Sequence, residues 1–141
     1  MAATDFVWGR YPIQGADVPY LNTSGAAITA GMTLKIDTSK PIGASQPQVA
    51  MIPTTAVADF TDGFAVENVP IGGQGRCQIE GVAVAIAAAA ITVGAIVGAS
   101  AATPGDVVTY TAANPSIGKA WSTAANAADP ILVRIAPSKN A

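Results

Sequence analysis

The stretch AAITVGAIVGA, residues 89–99, lies inside an uncharged run from Gly81 to Gly105 that hydropathy alone would read as a membrane span. An earlier stretch, AAITAGMTLKI at residues 26–36, begins with the same four residues and aligns with it at an offset of 63 positions, from Ala26 to Ala89. Gly31 then falls on Gly94, and Pro41 and Pro104 each follow their glycine by ten residues. Where the later copy is wholly apolar, the earlier one reads Met32-Thr33-Leu34-Lys35-Ile36-Asp37, the period-2 alternation of a half-buried strand. If the copies share a fold, the apolar run contains a strand. Its own composition agrees: glycines at 81, 94, 98 and 105 interrupt it, alanine dominates its longest glycine-free part, and no basic cluster flanks it. Gly94 and Gly98 match the spacing of a helix-dimer motif, but strand-edge and turn positions account for both.

The correspondence extends further. Gly63-Phe64-Ala65-Val66 parallels Gly118-Lys119-Ala120-Trp121, and each half closes on a strand-like run, residues 76–80 and 131–135. Alanine supplies 30 of the 141 residues, so alanine matches carry little weight; the Ile-Thr-x-Gly and the glycine-to-proline spacing carry the duplication. Strands are expected near 32–37, 47–52, 63–68 and 75–85, then 94–99, 106–111, 117–123 and 130–136, separated by Gly and Pro turns. Ala87 to Ala90 allow a short helical turn. The expected fold is mainly β, a small sandwich or barrel of two similar units at 25–86 and 87–141 with at most one or two short helices. Residues 1–24 hold Phe6, Trp8, Tyr11 and Tyr20, half of the eight aromatics, with Arg10 among them and no helical or strand period, and read as an extended arm.

Function is bounded mostly by what is missing. Charged residues make up 11% of the chain, against about 25% in an ordinary soluble domain. Half the residues are apolar, so part of the surface is expected to be covered by a partner. A net charge of −2 with scattered Lys and Arg argues against nucleic acid as that partner. The opening residues show no signal-peptide pattern, and the broken apolar run argues against a membrane. One cysteine, Cys77, excludes an internal disulfide or a multi-cysteine zinc site and is expected in the core.

No histidine is present, which removes the commonest general base and metal ligand. Gly72-Gly73-Gln74-Gly75-Arg76 lacks the Lys and hydroxyl residue of a phosphate loop and reads as a turn. Asp59, Asp62 and Glu67 form the densest acidic group, only part of a calcium-loop pattern, with a hairpin turn expected at Asp62-Gly63. No enzyme activity, cofactor or metal is therefore expected. Trp121 is expected to fill core or interface. The arm is different, because Trp, Tyr and Arg dominate interface hot spots: Phe6, Trp8, Arg10, Tyr11 and Tyr20 are the expected contacts to another chain.

With these residues in view, the chain resembles the capsid decoration, or cement, proteins of tailed phages, in the repeated A-x-I-T-x-G units (Ala26 to Ile36, Ala89 to Ala99), the Gly-x-Ala strands and the terminal Val/Ile run at 131–135. The resemblance implies a non-enzymatic virion protein, assembling as a homo-oligomer, commonly a trimer, on the outer surface of the head and bridging major capsid protein subunits. Two alternatives remain: another virion module such as a head-fibre base or tail accessory, and a small carbohydrate-binding domain using Asp59, Asp62 or Glu67.

Overall fold

Ten short strands and no helix occur among the residues described by the computed structural model, 16–43 and 48–138. They are β1 (Asp17–Asn22), β2 (Thr33–Ile36), β3 (Ala50–Pro53), β4 (Gly63–Ala65), β5 (Gln74–Gln78), β6 (Val82–Ile86), β7 (Ile96–Ala99), β8 (Val107–Thr109), β9 (Ser116–Ala120) and β10 (Pro130–Ser138). The first five close into a barrel in the order β1-β3-β2-β4-β5, and the second five form a sheet in the order β6-β10-β9-β7-β8. The run from Gly81 to Gly105 is thus pleated backbone, holding β6 and β7. No helix among the described residues is long and apolar enough to cross a membrane.

The two sheets repeat one hydrogen-bonding pattern. Thr33 pairs with Phe64 and Leu34 with Gly63 in the first; Ile96 pairs with Lys119 and Val97 with Gly118 in the second. Isolated bridges join Ile28 to Val69 and Ile91 to Ala124. Gly31 and Gly94, at φ 93° and 90°, donate to Ala65 O and Ala120 O, a left-handed backbone that explains why glycine recurs there. In the first barrel β1 runs parallel to β3; in the second the parallel bridge Ala87 to Val107 links the continuation of β6 to β8. That single bridge brings the two edges of the second sheet together, with no ladder between β6 and β8.

Several boundaries differ from the expected ones. Residues 75–85 are two strands broken at Ile79–Gly81, where Gly81 takes φ 88°; β5 pairs with β1, and β6 with β10. The units therefore meet near residue 80. Residues 17–22, assigned by composition to the arm, are a barrel strand. Ala87 to Ala90 are not helical, because Ala87 N–H and Ala88 N–H are drawn sideways to Asp129 O and Val107 O. The turn expected at Asp62-Gly63 lies earlier, where Asp59 N–H bonds Ala56 O; Asp62 N–H bonds Leu34 O and leads into β4.

Each barrel has its own core. Tyr20, Ile28, Leu34, Met51, Ala65, Val69 and Cys77 fill the first, while Ile91, Val97, Val107, Ile117, Ile131 and Val133 with five alanines fill most of the second. Size is exchanged across equivalent pairs: Tyr20 lies opposite Gly75 in the first barrel, Ala85 opposite Ile131 in the second. A Cβ at Gly75 would overlap Val69 Cγ2, so the absent side chain makes room for Val69 beside the ring of Tyr20.

The seam between barrels explains why β4 is buried on both faces. Ala65 points into the first core, and Phe64, on the opposite face of the strand, packs into the second. Thr33 N–H donates to Gly105 O at 2.7 Å and Gly105 N–H donates to Thr54 O at 2.9 Å, extending hydrogen bonding across the seam. Thr33 and Thr54 hydroxyls meet at 2.5 Å, both fully buried.

Candidate partner-binding surface

Of the five residues expected at an interface, Phe6, Trp8, Arg10 and Tyr11 lie outside the described residues. Tyr20 does not face a partner. It is fully buried in the first barrel, its hydroxyl has no hydrogen-bond partner among the described residues, and burial, with Cys77 and Glu67 nearby, holds its pKa far above the ordinary value. Its β1 position, alternating with exposed residues, turns it inward.

The acidic group does not converge on a ligand. Asp59 Oδ2 accepts from Lys35 Nζ at 2.9 Å and from the N–H groups of Thr55 and Ala56. Asp62 Oδ2 accepts from Ile36 N–H, and Glu67 Oε1 from Arg76 N–H. Asp59 and Asp62 thus both fasten the end of β2, and Glu67 holds the middle of β5. Among the described residues no group of three His, Cys, Asp or Glu side chains is placed to hold a metal. Ile71 and Gly72 form a turn, with Gly73 N–H bonded to Pro70 O, before β5 begins at Gln74. Cys77 is fully buried beside Met51 Sδ, 3.7 Å away, and burial pushes its thiol up to about 11.

Asp59 and Asp37 carry depressed carboxyl pKa values that bear on acid stability. Burial raises the Asp59 pKa, but Lys35 and the two backbone donors outweigh it, leaving the group below its usual range. Asp37 is lowered chiefly by the Ser39 hydroxyl, then by Thr23. A carboxylate with a depressed folded pKa binds fewer protons folded than unfolded, so its stabilisation is present above about pH 4 and lost as pH falls through its folded pKa. Asp106, raised by burial, acts in the opposite sense and in the adjoining window, its contribution being present below about pH 4 and lost as pH rises through its folded pKa. Asp59→Asn is expected to cost about 1 kcal/mol at pH 7 and to narrow the difference in urea midpoint between pH 7 and pH 3.5. An unchanged difference would remove Asp59 from the acid response.

What the surface does carry is exposed apolar side chains. Val93, Ile96 and Trp121 are 55%, 42% and 55% exposed on the second barrel, and Ile42, Ile71 and Ile79 are 63%, 66% and 40% exposed on the first. Trp121, expected in core or interface, is not core. It follows β9, where Gly118 and Ala120 are buried and Lys119 is exposed, so Lys119 and Trp121 share the outer face. That alternation was readable in Gly118-Lys119-Ala120-Trp121; which face the other barrel covered was not. A shallow groove also runs along the seam, lined by Thr61, Phe64, Ile79, Ile117, Ile135 and Pro137, with the Thr61 hydroxyl buried and without a hydrogen-bond partner among the described residues.

The described residues thus present two small β units with several exposed apolar side chains in a chain of sparse charge. The phage cement protein family model matches residues 14–135, and the chain belongs to that family. It is accordingly a structural component of a phage particle, in a family that is not a class of enzymes. Among solved structures, the head fiber gp8.5 N base of bacteriophage phi29 is similar in fold, with a TM-score of 0.65 at 17% identity over 89% of this chain and 97% of that one. No curated protein matches the sequence.

Proposed function

We propose that this chain is a decoration protein that binds the outer surface of a phage head as a homo-oligomer, a trimer, and stabilises the shell by bridging neighbouring major capsid subunits. The family match over residues 14–135 carries the reading. The exposed apolar residues of both barrels and the sparse charge support it, since cement needs broad contact area and no reactive constellation. A clamp that binds only the assembled state stabilises it by mass action.

Phe6, Trp8, Arg10 and Tyr11 are proposed as capsid contacts. Ala16 O accepts from Ile79 N–H, which places Ala16 beside the β5–β6 junction. Several such segments on one oligomer would bind together through effective concentration. Deleting residues 1–15 leaves β1, which starts at Asp17, intact. The truncated chain is expected to keep its far-UV spectrum and lose at least tenfold in affinity for undecorated heads, read by co-sedimentation. Undiminished attachment would free the segment from this role.

The fold likeness to a head-fibre base favours a second reading, in which the chain seats a fibre on the head. Electron cryomicroscopy of the particle separates the two: density spread over the capsid lattice fits cement, and density confined beneath fibres fits a base.

A further inference from the structure

Each half of the chain sets one row of side chains across three strands, and the two rows meet different surroundings. In the first half the row is Thr33, Phe64 and Gln78, paired across β2, β4 and β5, and all three are covered at the seam, at 0%, 1% and 2% exposed. The Gln78 amide is spent there, donating to Glu80 O and Val82 O at 2.9 and 3.0 Å. The same register in the second half gives Ile96, Lys119 and Arg134, paired across β7, β9 and β10. All three are exposed, and Trp121, exposed as well, stands beyond Lys119 on this face with its N–H bonded to Leu132 O. A face that meets protein in the first half is thus open in the second, and where the covered row is neutral the open row carries two cations side by side.

That pairing has a cost. Like charges directly opposite each other on neighbouring strands repel, and nothing among the described residues neutralises these two: the ion pairs there join Lys35 to Asp59 and Arg76 to Asp17. The second barrel's own acids are engaged elsewhere, Asp106 buried and Asp129 accepting from Asn126 N–H. A carboxylate set between Lys119 and Arg134 would relieve the repulsion and take the guanidinium in a charge-assisted pair, with Ile96 and Trp121 desolvated beside it. Two cations on a chain of net charge −2 make no field for a polyphosphate, so the complement is an acidic protein surface with an apolar rim. We infer that the face formed by Ile96, Lys119, Arg134 and Trp121 receives a carboxylate-bearing surface of another protein of the phage particle, on the decoration reading the shell subunit. This rests on that reading and adds to it the face that docks and the chemistry of what it meets.

Charge reversal tests the face. Lys119→Glu and Arg134→Glu, both at exposed positions, should keep the circular dichroism of the wild type and each lose about tenfold or more in affinity for undecorated heads. Lys119→Arg should attach like the wild type, and so should Lys40→Glu, the same change of charge at an exposed position in the first half. Undiminished attachment of both charge-reversed variants would overturn the inference and leave the decoration reading standing, as would an equal loss in Lys40→Glu, which would reduce the effect to net charge. A wild type that ignores heads removes the decoration reading. The face is then scored on intact particles, where Lys119 should be acetylated more slowly than in the free chain, and an equal rate overturns the inference. Two other occupants are read from the same variants. Self-association that Lys119→Glu and Arg134→Glu abolish on sedimentation would assign the face to a second copy of this chain, and retention on duplex DNA that they abolish would assign it to nucleic acid; either result overturns the inference.

Discussion

Gly118→Ala is expected to be the most damaging single-methyl addition to the second barrel. A Cβ at Gly118 would lie inside the contact radius of Arg134 O on the adjoining strand β10, and close to Ala136 N at 3.1 Å. Backbone cannot swing aside as a side-chain tip can, so relief requires β9 and β10 to separate where Gly118 pairs with Ile135. Overpacking of a good core costs about 1–3 kcal/mol, and a clash with ladder backbone should sit at or above the top of that range. The counterpart, Gly63, leaves a Cβ 3.0 Å from Cys77 Sγ and 3.2 Å from Gln78 O, tight but partly relieved by the thiol. Gly63→Ala should therefore cost less than Gly118→Ala, and the urea midpoints of the two variants should rank in that order. Equal midpoints would show that the second barrel yields at β10.

Phe64→Ala should be comparably costly for a different reason. Its ring belongs to one barrel by chain and to the other by packing, 1% exposed among Ala83, Ala85, Val97 and Ile117. Truncating a buried phenylalanine costs about 3–5 kcal/mol through lost transfer energy and the cavity left behind. Because this cavity opens at the seam, cooperativity between barrels should suffer along with stability. The wild type is expected to unfold in one transition and Phe64→Ala in two, followed by near-UV circular dichroism and Trp121 fluorescence during denaturation. A single transition of ordinary steepness in the variant would mean that the Thr33, Thr54 and Gly105 hydrogen bonds couple the barrels without the ring.

Much of this fold was legible in the sequence for a definite reason. The Gly-x-Ala tetrads and the Thr-x-Gly turns recur because the same backbone geometry recurs, and geometry that excludes a Cβ or demands a positive φ leaves a mark in residue type. Strand positions followed from them. Less legible were features set by what packs against what. Val82-Ala83-Val84-Ala85-Ile86 alternates as well in one barrel as in the other, and only pairing with β10 assigns it to the second. A strand is expected over 106–111, yet the ladder with β7 spans only Val107–Thr109. Tyr20 sits in the aromatic-rich opening of the chain, and composition could not show that it is a core residue; what fixes it is the ladder that sets it opposite Gly75, far away in sequence. The candidate site was the least legible part, because an exposed Ile96 and a buried Thr33 occupy equivalent places and differ only in having a neighbour.

The nesting of strands has a consequence for synthesis. Every ladder partner of β1 to β5 lies between Asp17 and Gln78, so the amino-terminal half has all it needs to fold while the rest of the chain is still in the ribosome. At that moment Phe64 has no cover, and the nascent half displays the ring to solvent until β6 to β10 emerge. A ribosome pausing near the Ile79–Gly81 junction would prolong the interval in which this greasy spot invites the wrong companion.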